Sequence, residues 1–331
     1  MFEGFANVWT PALVASEVGA RPVSVTVAGE KIALFRDGRG VIGALVDRCP
    51  HRGVALSQGQ VTDDGCLACP FHGWRFDARG ACTHVPFNPD AKRERLGAIA
   101  LAAREIGGLV WIYTAPTADA PMEPSPPDTM VRGDVTRTWV QREWATHWTR
   151  AMENMLDSPH VPFVHRATIG GDQARRMTRD TRMVMRWTAT DYGGSIGMTF
   201  DDDPEMEILE FHKPNIMVLK IPIPGRLFRM HAVCVPVSAR VTRMIIVGAR
   251  DFARPTLLNP FFNRTNRRIL GEDQAVLESS DPPEVPPPSE ERSVASDRPT
   301  LQFRKYYYDV LRGSAASPAS TPASPEASSD Q

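Results

Sequence analysis

The sequence lacks the features that mark membrane-spanning, secreted and nucleic-acid-binding proteins. It contains no unbroken apolar run of about 18 residues, so we expect no membrane span. The first twenty residues carry Glu3 and Glu17 but no Lys or Arg, unlike a secretory signal. The 38 Lys and Arg nearly balance the 39 Asp and Glu, leaving a net charge of -1. Without a basic excess, a nucleic-acid or anionic-membrane partner is not expected, and we expect a cytoplasmic protein.

Cysteine is also scarce. The five cysteines are Cys49, Cys66, Cys69, Cys82 and Cys234. An odd and low number without an export signal argues against a disulfide framework and favours a role in metal binding.

At 331 residues the chain is long enough for two domains. Short alternating segments between Pro22 and Trp111, with a turn at residues 37–40, predict an all-β first domain. Five prolines between Ala115 and Asp128 predict a linker or an irregular surface segment. The Ser-, Ala- and Pro-rich end predicts a disordered tail.

The second domain shows helical and strand-like patterns. We predict helices over 147–160 and 257–280, and strands over 136–140, 183–187, 195–200, 207–211, 216–221, 229–237 and 241–249. The fold class is therefore α+β, with an antiparallel sheet covered by helices. The predicted boundaries are 1–114 for the first domain, 115–130 for the linker, 131–312 for the second domain and 313–331 for the tail.

The most informative pattern pairs a cysteine with a histidine twice. It consists of Cys49-Pro50-His51-Arg52 and, with seventeen residues between His51 and Cys69, Cys69-Pro70-Phe71-His72-Gly73-Trp74. Two thiolates and two imidazoles are one ligand set of an iron–sulfur cluster. A zinc site would instead be expected to separate a cysteine pair from a histidine pair. Cys66 and Cys82 are expected to be packing residues.

These two motifs resemble the Rieske motif of bacterial ring-hydroxylating and demethylating oxygenases. The resemblance implies that Cys49 and Cys69 bind one iron of a [2Fe-2S] cluster, and that His51 and His72 bind the other. It also implies an N-terminal all-β Rieske domain and a C-terminal catalytic domain with a helix-gripped antiparallel sheet.

A second group of candidate ligands lies between Glu153 and His165. Offsets of four and three along the predicted helix place Glu153, Asp157 and His160 on one face. Prolines then end the helix, so that His165 returns beside His160. Two imidazoles and one carboxylate form the facial triad that binds iron(II) and leaves positions for dioxygen and substrate. Two histidines five residues apart are also compatible with a structural role.

The same segment resembles the Glu-Asn-x-x-Asp-x-x-His-x-x-x-x-His motif of these oxygenases. The resemblance implies that His160 and His165 bind the catalytic iron, and that Asp157 is the inter-subunit electron bridge. It also implies a distant carboxylate as third ligand. Asp273 is the candidate, because it lies on the otherwise apolar face of the long helix and an isolated buried carboxylate is costly. A salt bridge is the alternative for Asp273, whereas Glu272 and Glu278 are interpreted as solvated charges.

The resemblance implies an oxygenase component that uses O2 and takes electrons from a separate reductase, with or without a ferredoxin, so that NAD(P)H acts only indirectly. It most resembles the vanillate and dicamba O-demethylase branch, which implies a homotrimer that hydroxylates or O- or N-demethylates a small organic, aromatic substrate. Two alternatives stay open: an arene cis-dihydroxylating dioxygenase, and a Rieske electron-transfer protein without catalytic iron.

Several other residues have two interpretations. A pocket or a structural role fits His147, His212 and His231. Pocket lining or core packing fits Met155, Phe200 and Met217. An acidic substrate or a solvated surface fits Arg226 and Arg229.

Overall fold

The computed structural model describes residues 1–313, and residues 314–331 of the predicted tail lie outside the described residues. The N-terminal part contains eleven short strands in three antiparallel sheets, ordered β1-β11-β10, β2-β3-β4-β9 and β5-β6-β7-β8. The strands are β1 (Trp9–Val14), β2 (Val23–Val27), β3 (Glu30–Arg36), β4 (Ile42–Val46), β5 (Gln60–Val61), β6 (Leu67–Ala68), β7 (Arg75–Phe76), β8 (Cys82–His84), β9 (Ala100–Leu101), β10 (Ala103–Ile106) and β11 (Leu109–Tyr113).

The predicted turn at residues 37–40 is confirmed. It joins β3 to β4, and the carboxylate of Asp37 accepts hydrogen bonds from the backbone N–H groups of Arg39 and Val41 at 2.8 and 2.9 Å. Such a side-chain contact stabilises a turn because it satisfies backbone donors that the ladder leaves free.

The C-terminal part is built on one seven-stranded antiparallel sheet of order β12-β18-β17-β16-β15-β14-β13. The predicted α+β class and antiparallel sheet are therefore confirmed. The strands are β12 (Thr136–Trp144), β13 (Met183–Thr190), β14 (Gly193–Phe200), β15 (Met206–His212), β16 (Ile216–Lys220), β17 (Phe228–Ser238) and β18 (Val241–Arg250). The helices are α1 (Asp128–Val131), α2 (Trp148–Leu156), α3 (Val161–Val164), α4 (Gly171–Arg176), α5 (Asn259–Leu277) and α6 (Arg298–Tyr306).

Both faces of this sheet carry apolar side chains, because each faces a different layer. Ile216, Val233 and Val247 belong to the apolar core shared with the N-terminal part. Met217 and Ala232, on the alternate positions, face the core beneath α2 and α6. The sheet therefore has the N-terminal part on one side and helices on the other.

The long helix α5 confirms the helix predicted over 257–280, with somewhat shorter bounds. Its buried residues are Asn266, Ile269, Leu270 and Asp273, which follow the three- and four-residue spacing of one helical face. This spacing brings Asp273 to the interior.

Helix α6 was not predicted from the sequence. Its Phe303 ring packs edge to face on Trp148 and Phe211, with ring centroids 5.7 Å apart in each pair. Its Arg304 forms ion pairs with Glu153 of α2 and with Glu291. These contacts hold α6 against α2, the helix that leads into the site described below.

The segment between the two parts contacts both of them. The Trp9 indole N–H donates to the Met122 carbonyl at 2.7 Å, and the Thr129 hydroxyl contacts His231 Nε2 at 2.8 Å. Across residues 1–313, no helix is both long and apolar enough to cross a membrane.

Candidate metal centres and cavity

The two Cys-His loops have the same backbone hydrogen bonds. The carbonyl of Cys49 accepts from the Gly53 N–H, and the carbonyl of Cys69 accepts from the Gly73 N–H, at 2.9 and 3.0 Å. Gly53 and Gly73 have φ of +73° and +67°, a region that favours glycine. The two loops are therefore matching tight turns, and each presents one cysteine and one histidine.

The four predicted cluster ligands are brought together at the loop tips. The Cys49 and Cys69 thiols contact each other, and burial is the main cause that raises the pKa of Cys49 to about 11. The rings of His51 and His72 have centroids 4.6 Å apart. His51 Nδ1 is buried without a hydrogen-bond partner among the described residues, and the two loops thus present one pair of thiols and one pair of imidazoles. This donor set fits a Rieske cluster.

The cysteines and the histidines of the two loops differ in exposure. Cys49 and Cys69 are 2% and 3% exposed, whereas His72 is exposed and His51 is half-buried. His51 stacks on Trp74, with ring planes 5° apart. The histidine edge of the site therefore faces the surface. Cys66 and Cys82 are buried beside the loops, and all five cysteines are free.

The second group of predicted ligands starts where α2 ends. Helix α2 ends at Leu156, earlier than the predicted bound at His160, and Asp157 has an extended backbone with φ -95° and ψ 117°. Glu153 consequently does not share a face with Asp157 and His160. It is paired with Arg304 and Arg150 instead, so the expectation that Glu153, Asp157 and His160 share one helix face was wrong.

The short helix α3 lies between His160 and His165, and places both imidazoles opposite Asp273 of α5. One donor atom from each of these three residues lies within 4.8 Å of the other two. Asp273 Oδ1 is 3.0 Å from His165 Nε2 and 3.5 Å from His160 Nε2. His165 and Asp273 are only 2% and 3% exposed.

The donor chemistry of this triad fits a bound metal ion. Asp273 Oδ1 is buried and has no hydrogen-bond donor of acceptable geometry among the described residues. A buried carboxylate in this state is costly unless a cation compensates it. Two imidazoles with one carboxylate are the ligands of the facial triad that iron(II) uses in oxygenases.

Glu272, which we had interpreted as a solvated charge, is a part of the site that the sequence did not reveal. Its Oε2 is 2.9 Å from His165 Nδ1 and accepts a hydrogen bond from the Thr168 hydroxyl at 2.7 Å. An ionised carboxylate can only accept, so Nδ1 of His165 carries the hydrogen in this contact, and Nε2, which faces Asp273, is the nitrogen available to a metal. Asp157 Oδ2 lies 3.4 Å from His160 Nδ1, which has no hydrogen-bond partner among the described residues.

The electrostatics of the site also favour a cation. Burial lowers the pKa of His165, but Asp273 and Glu272 raise it by more, so that the net shift is upward. Burial raises the pKa of Glu272, but the contacts with His165 and Thr168 lower it by more, so that the net shift is downward. Two carboxylates beside one buried imidazole leave an excess of negative charge that a metal dication would balance.

A cavity of about 400 Å³ opens onto the triad. Met155, Phe200 and Met217, for which two interpretations were open, all line it. The three histidines for which a pocket or a structural role was open, His147, His212 and His231, do not line it. His147 caps α2 and bonds Thr149, His212 stacks on Tyr192, and His231 bonds Thr129 and the Val247 carbonyl.

Comparison with known proteins gives two family matches in this order along the chain. Residues 8–98 match the Rieske [2Fe-2S] domain, and residues 144–312 match the vanillate O-demethylase oxygenase C-terminal domain. The methylxanthine N3-demethylase NdmB of Pseudomonas putida is 29% identical over 91% of this chain and 88% of its own length. The 3-chlorobenzoate-3,4-dioxygenase oxygenase subunit of Comamonas testosteroni is 33% identical over 52% of this chain.

The chain spans less than half the length of two of these relatives. It covers 40% of the Comamonas protein and 43% of the chlorophyllide a oxygenase of Chlamydomonas reinhardtii. Among solved structures, dicamba monooxygenase bound to dicamba has a TM-score of 0.77 at 20% identity, covering 94% of this chain and 98% of that chain. That likeness shows the shared fold.

A Rieske domain followed by a catalytic domain with a two-histidine, one-carboxylate site defines the class of Rieske oxygenases. Within this class the C-terminal match covers about half of the chain, and the chain belongs to the family of vanillate O-demethylase-type oxygenases. The predicted family is therefore confirmed, together with the [2Fe-2S] cluster and mononuclear iron that the family uses.

Proposed function

We propose that this chain is the oxygenase component of a multicomponent Rieske monooxygenase. It would use O2 and electrons from a separate NAD(P)H-dependent reductase to hydroxylate, or to O- or N-demethylate, a small organic substrate. The observation that supports this most is the position of the triad, which lies on the wall of a cavity large enough for a small molecule.

We assign the ligands residue by residue within this proposal. Cys49, Cys69, His51 and His72 would hold the [2Fe-2S] cluster, and His160, His165 and Asp273 would hold the mononuclear iron. When bound, these groups would supply one-electron transfer and the activation of dioxygen.

The chain itself supplies orientation and exclusion of water. Glu272 holds the His165 ring in one tautomer, and the buried carboxylate of Asp273 faces both imidazoles. The apolar walls around Met155 and Met217 exclude water and hold a substrate carbon against the triad.

The partners are a further part of the proposal. The His72 edge of the cluster loops is exposed, and Asp157 is partly exposed beside His160. These two surfaces suit contact between the cluster domain of one subunit and Asp157 of the next, in a head-to-tail homotrimer in the cytoplasm. A reductase, with or without a ferredoxin, would supply electrons to the cluster domain.

The proposal is tested by oxygen-dependent demethylation. The cluster- and iron-loaded protein is combined with NADH, a surrogate reductase and a panel of methoxy- and N-methyl-arenes, and formaldehyde is measured. We expect formaldehyde only in the presence of O2, and none from a His160→Ala variant that keeps its cluster. Formaldehyde at an equal rate from both proteins would contradict the proposal.

A further inference from the structure

The wall of the cavity is mostly apolar and is rich in one flexible residue type. Five methionines line it: Met155, Met198, Met206, Met217 and Met230. Methionine is unbranched and polarisable, so it adapts to irregular apolar shapes. The cavity is therefore suited to an apolar body rather than to a small hydrophilic one.

The cavity offers no free positive charge. Lys220 and Arg176 are the two Lys or Arg residues of its described lining. Lys220 alternates with Leu219 along β16, so its side chain lies on the opposite face of the sheet, where it pairs with Glu207 and Glu210. Arg176 is 44% exposed at the mouth and pairs with Asp203 at 2.6 Å.

The remaining charges near the cavity are negative. Asp157 and Asp273 lie at the triad end, and Asp172 and Asp203 lie near the mouth beside Arg176. Arg229, which the sequence left as a candidate for binding an acid, lines a separate depression with Lys220 and His212. A carboxylate at the end of the cavity away from the triad and its metal would therefore be desolvated without a counter-ion, which is strongly unfavourable.

The neutral polar residues of the described lining are Asn154, Ser158, Gln173 and Asn266, and Asn266 is the one that belongs to α5. Asn266 of α5 is 6% exposed, lines the cavity and takes part in none of the side-chain hydrogen bonds of the described residues. It lies seven residues before Asp273 on the same buried face, which is two helical turns or about 10 Å along the axis. An amide that stays buried without a partner is costly, so a ligand group that pairs with it would gain affinity.

We propose that the cavity binds an uncharged, largely apolar substrate whose polar group, a carbonyl, amide or hydroxyl, hydrogen-bonds to Asn266. The reacting carbon then lies at the triad, two helical turns away. This inference rests on the proposed function for the identity of the reacting end. It assigns Asn266 as the residue that selects neutral substrates over organic acids.

The test compares three matched probes for binding, without turnover. They are a methoxynaphthalene with a carboxamide at the opposite end, the corresponding carboxylic acid, and the unsubstituted methoxynaphthalene. Dissociation constants are measured by calorimetry at neutral pH on the cluster- and iron-loaded protein without oxygen. We expect the amide to bind about tenfold or more tightly than the acid, because only the acid is charged.

The variants are Asn266→Leu and, as a matched control, Asn263→Leu on the same helix but outside the cavity lining. Asn266→Leu should weaken binding of the amide about five- to tenfold and leave the unsubstituted probe unchanged. The ligand-free Asn266→Leu protein should melt at the same temperature or higher, because it loses a buried amide without a partner. Asn263→Leu should change neither amide nor acid binding.

Equal binding of acid and amide by the unaltered protein would overturn the inference, and so would amide binding that Asn266→Leu does not weaken. Failure of all three probes to bind at millimolar concentration would overturn it as well, because the cavity is large enough for them. If the amide binds as expected but yields no formaldehyde with O2 and reductant, the proposed reaction fails and the binding preference stands.

Discussion

Replacing Glu272 should weaken metal binding at the triad although Glu272 is not a proposed ligand. Its contact with His165 Nδ1 at 2.9 Å is the one that leaves Nε2 free for a metal. Removing a partner of this kind typically costs about 10- to 100-fold in metal affinity, or about 1.4–2.7 kcal/mol. We expect Glu272→Ala to fall in this range, and Glu272→Gln to lose less because the amide oxygen still accepts a hydrogen bond.

The assay is equilibrium dialysis of oxygen-free protein against buffered cobalt(II), a redox-stable substitute for iron(II), with bound metal measured by mass spectrometry. Glu278→Gln is the matched control, since it removes a carboxylate at the C-terminal end of α5, where Glu278 bonds the Ala145 N–H and Gln274 rather than a histidine. The visible absorption of the Rieske cluster reports that the first domain is intact. Equal cobalt affinity in Glu272→Ala and Glu278→Gln would refute the reasoning.

Three further predictions concern the electron path, acid stability and the cluster loops. Asp157→Asn should keep both metal centres and nearly abolish formaldehyde formation, and normal turnover would refute the assigned role. The hydrogen bond from Arg150 holds the pKa of Glu291 at about 2, so this carboxylate stabilises the fold above its unfolded-state pKa and loses that effect as the pH falls toward 2. Glu291→Gln should therefore flatten the acid-dependent decrease in melting temperature, and an unchanged acid profile would argue against it. Gly73→Ala should lower the cluster content and destabilise the fold by about 1–2 kcal/mol, because φ is +67° there. An added Cβ at Gly133 meets no atom within 4 Å, so Gly133→Ala should change neither the cluster content nor the stability.

The sequence predicted the elements whose signals are local. The two Cys-His motifs are each a tight turn closed by a glycine, and the same short hydrogen bonds close both loops. The apolar spacing along α5 was enough to predict that Asp273 lies on the buried face of the helix. Strands such as β17 and β18 were predictable because apolar and β-branched residues fill them.

The parts that sequence reasoning missed depend on contacts between distant segments. Glu272 flanks the buried face of α5 and would be solvated on an isolated helix. It becomes part of the site only because His165 and Thr168 arrive from a segment about a hundred residues earlier. Helix α6 is short and polar, and it depends on ion pairs of Arg304 with Glu153 and Glu291. No local sequence pattern indicates that the side chain of Asn266 faces the cavity without a hydrogen-bond partner among the described residues.

The central claim, a Rieske cluster and a separate catalytic iron on one chain, is tested most directly by metal analysis. Iron and acid-labile sulfide would be measured per chain on protein purified without oxygen and supplied with iron(II), beside a His160→Ala variant. The account predicts about three irons and two sulfides for the unaltered protein. It predicts about two irons and two sulfides for the variant. About two irons and two sulfides in both would contradict the account and favour an electron-transfer protein without a catalytic iron.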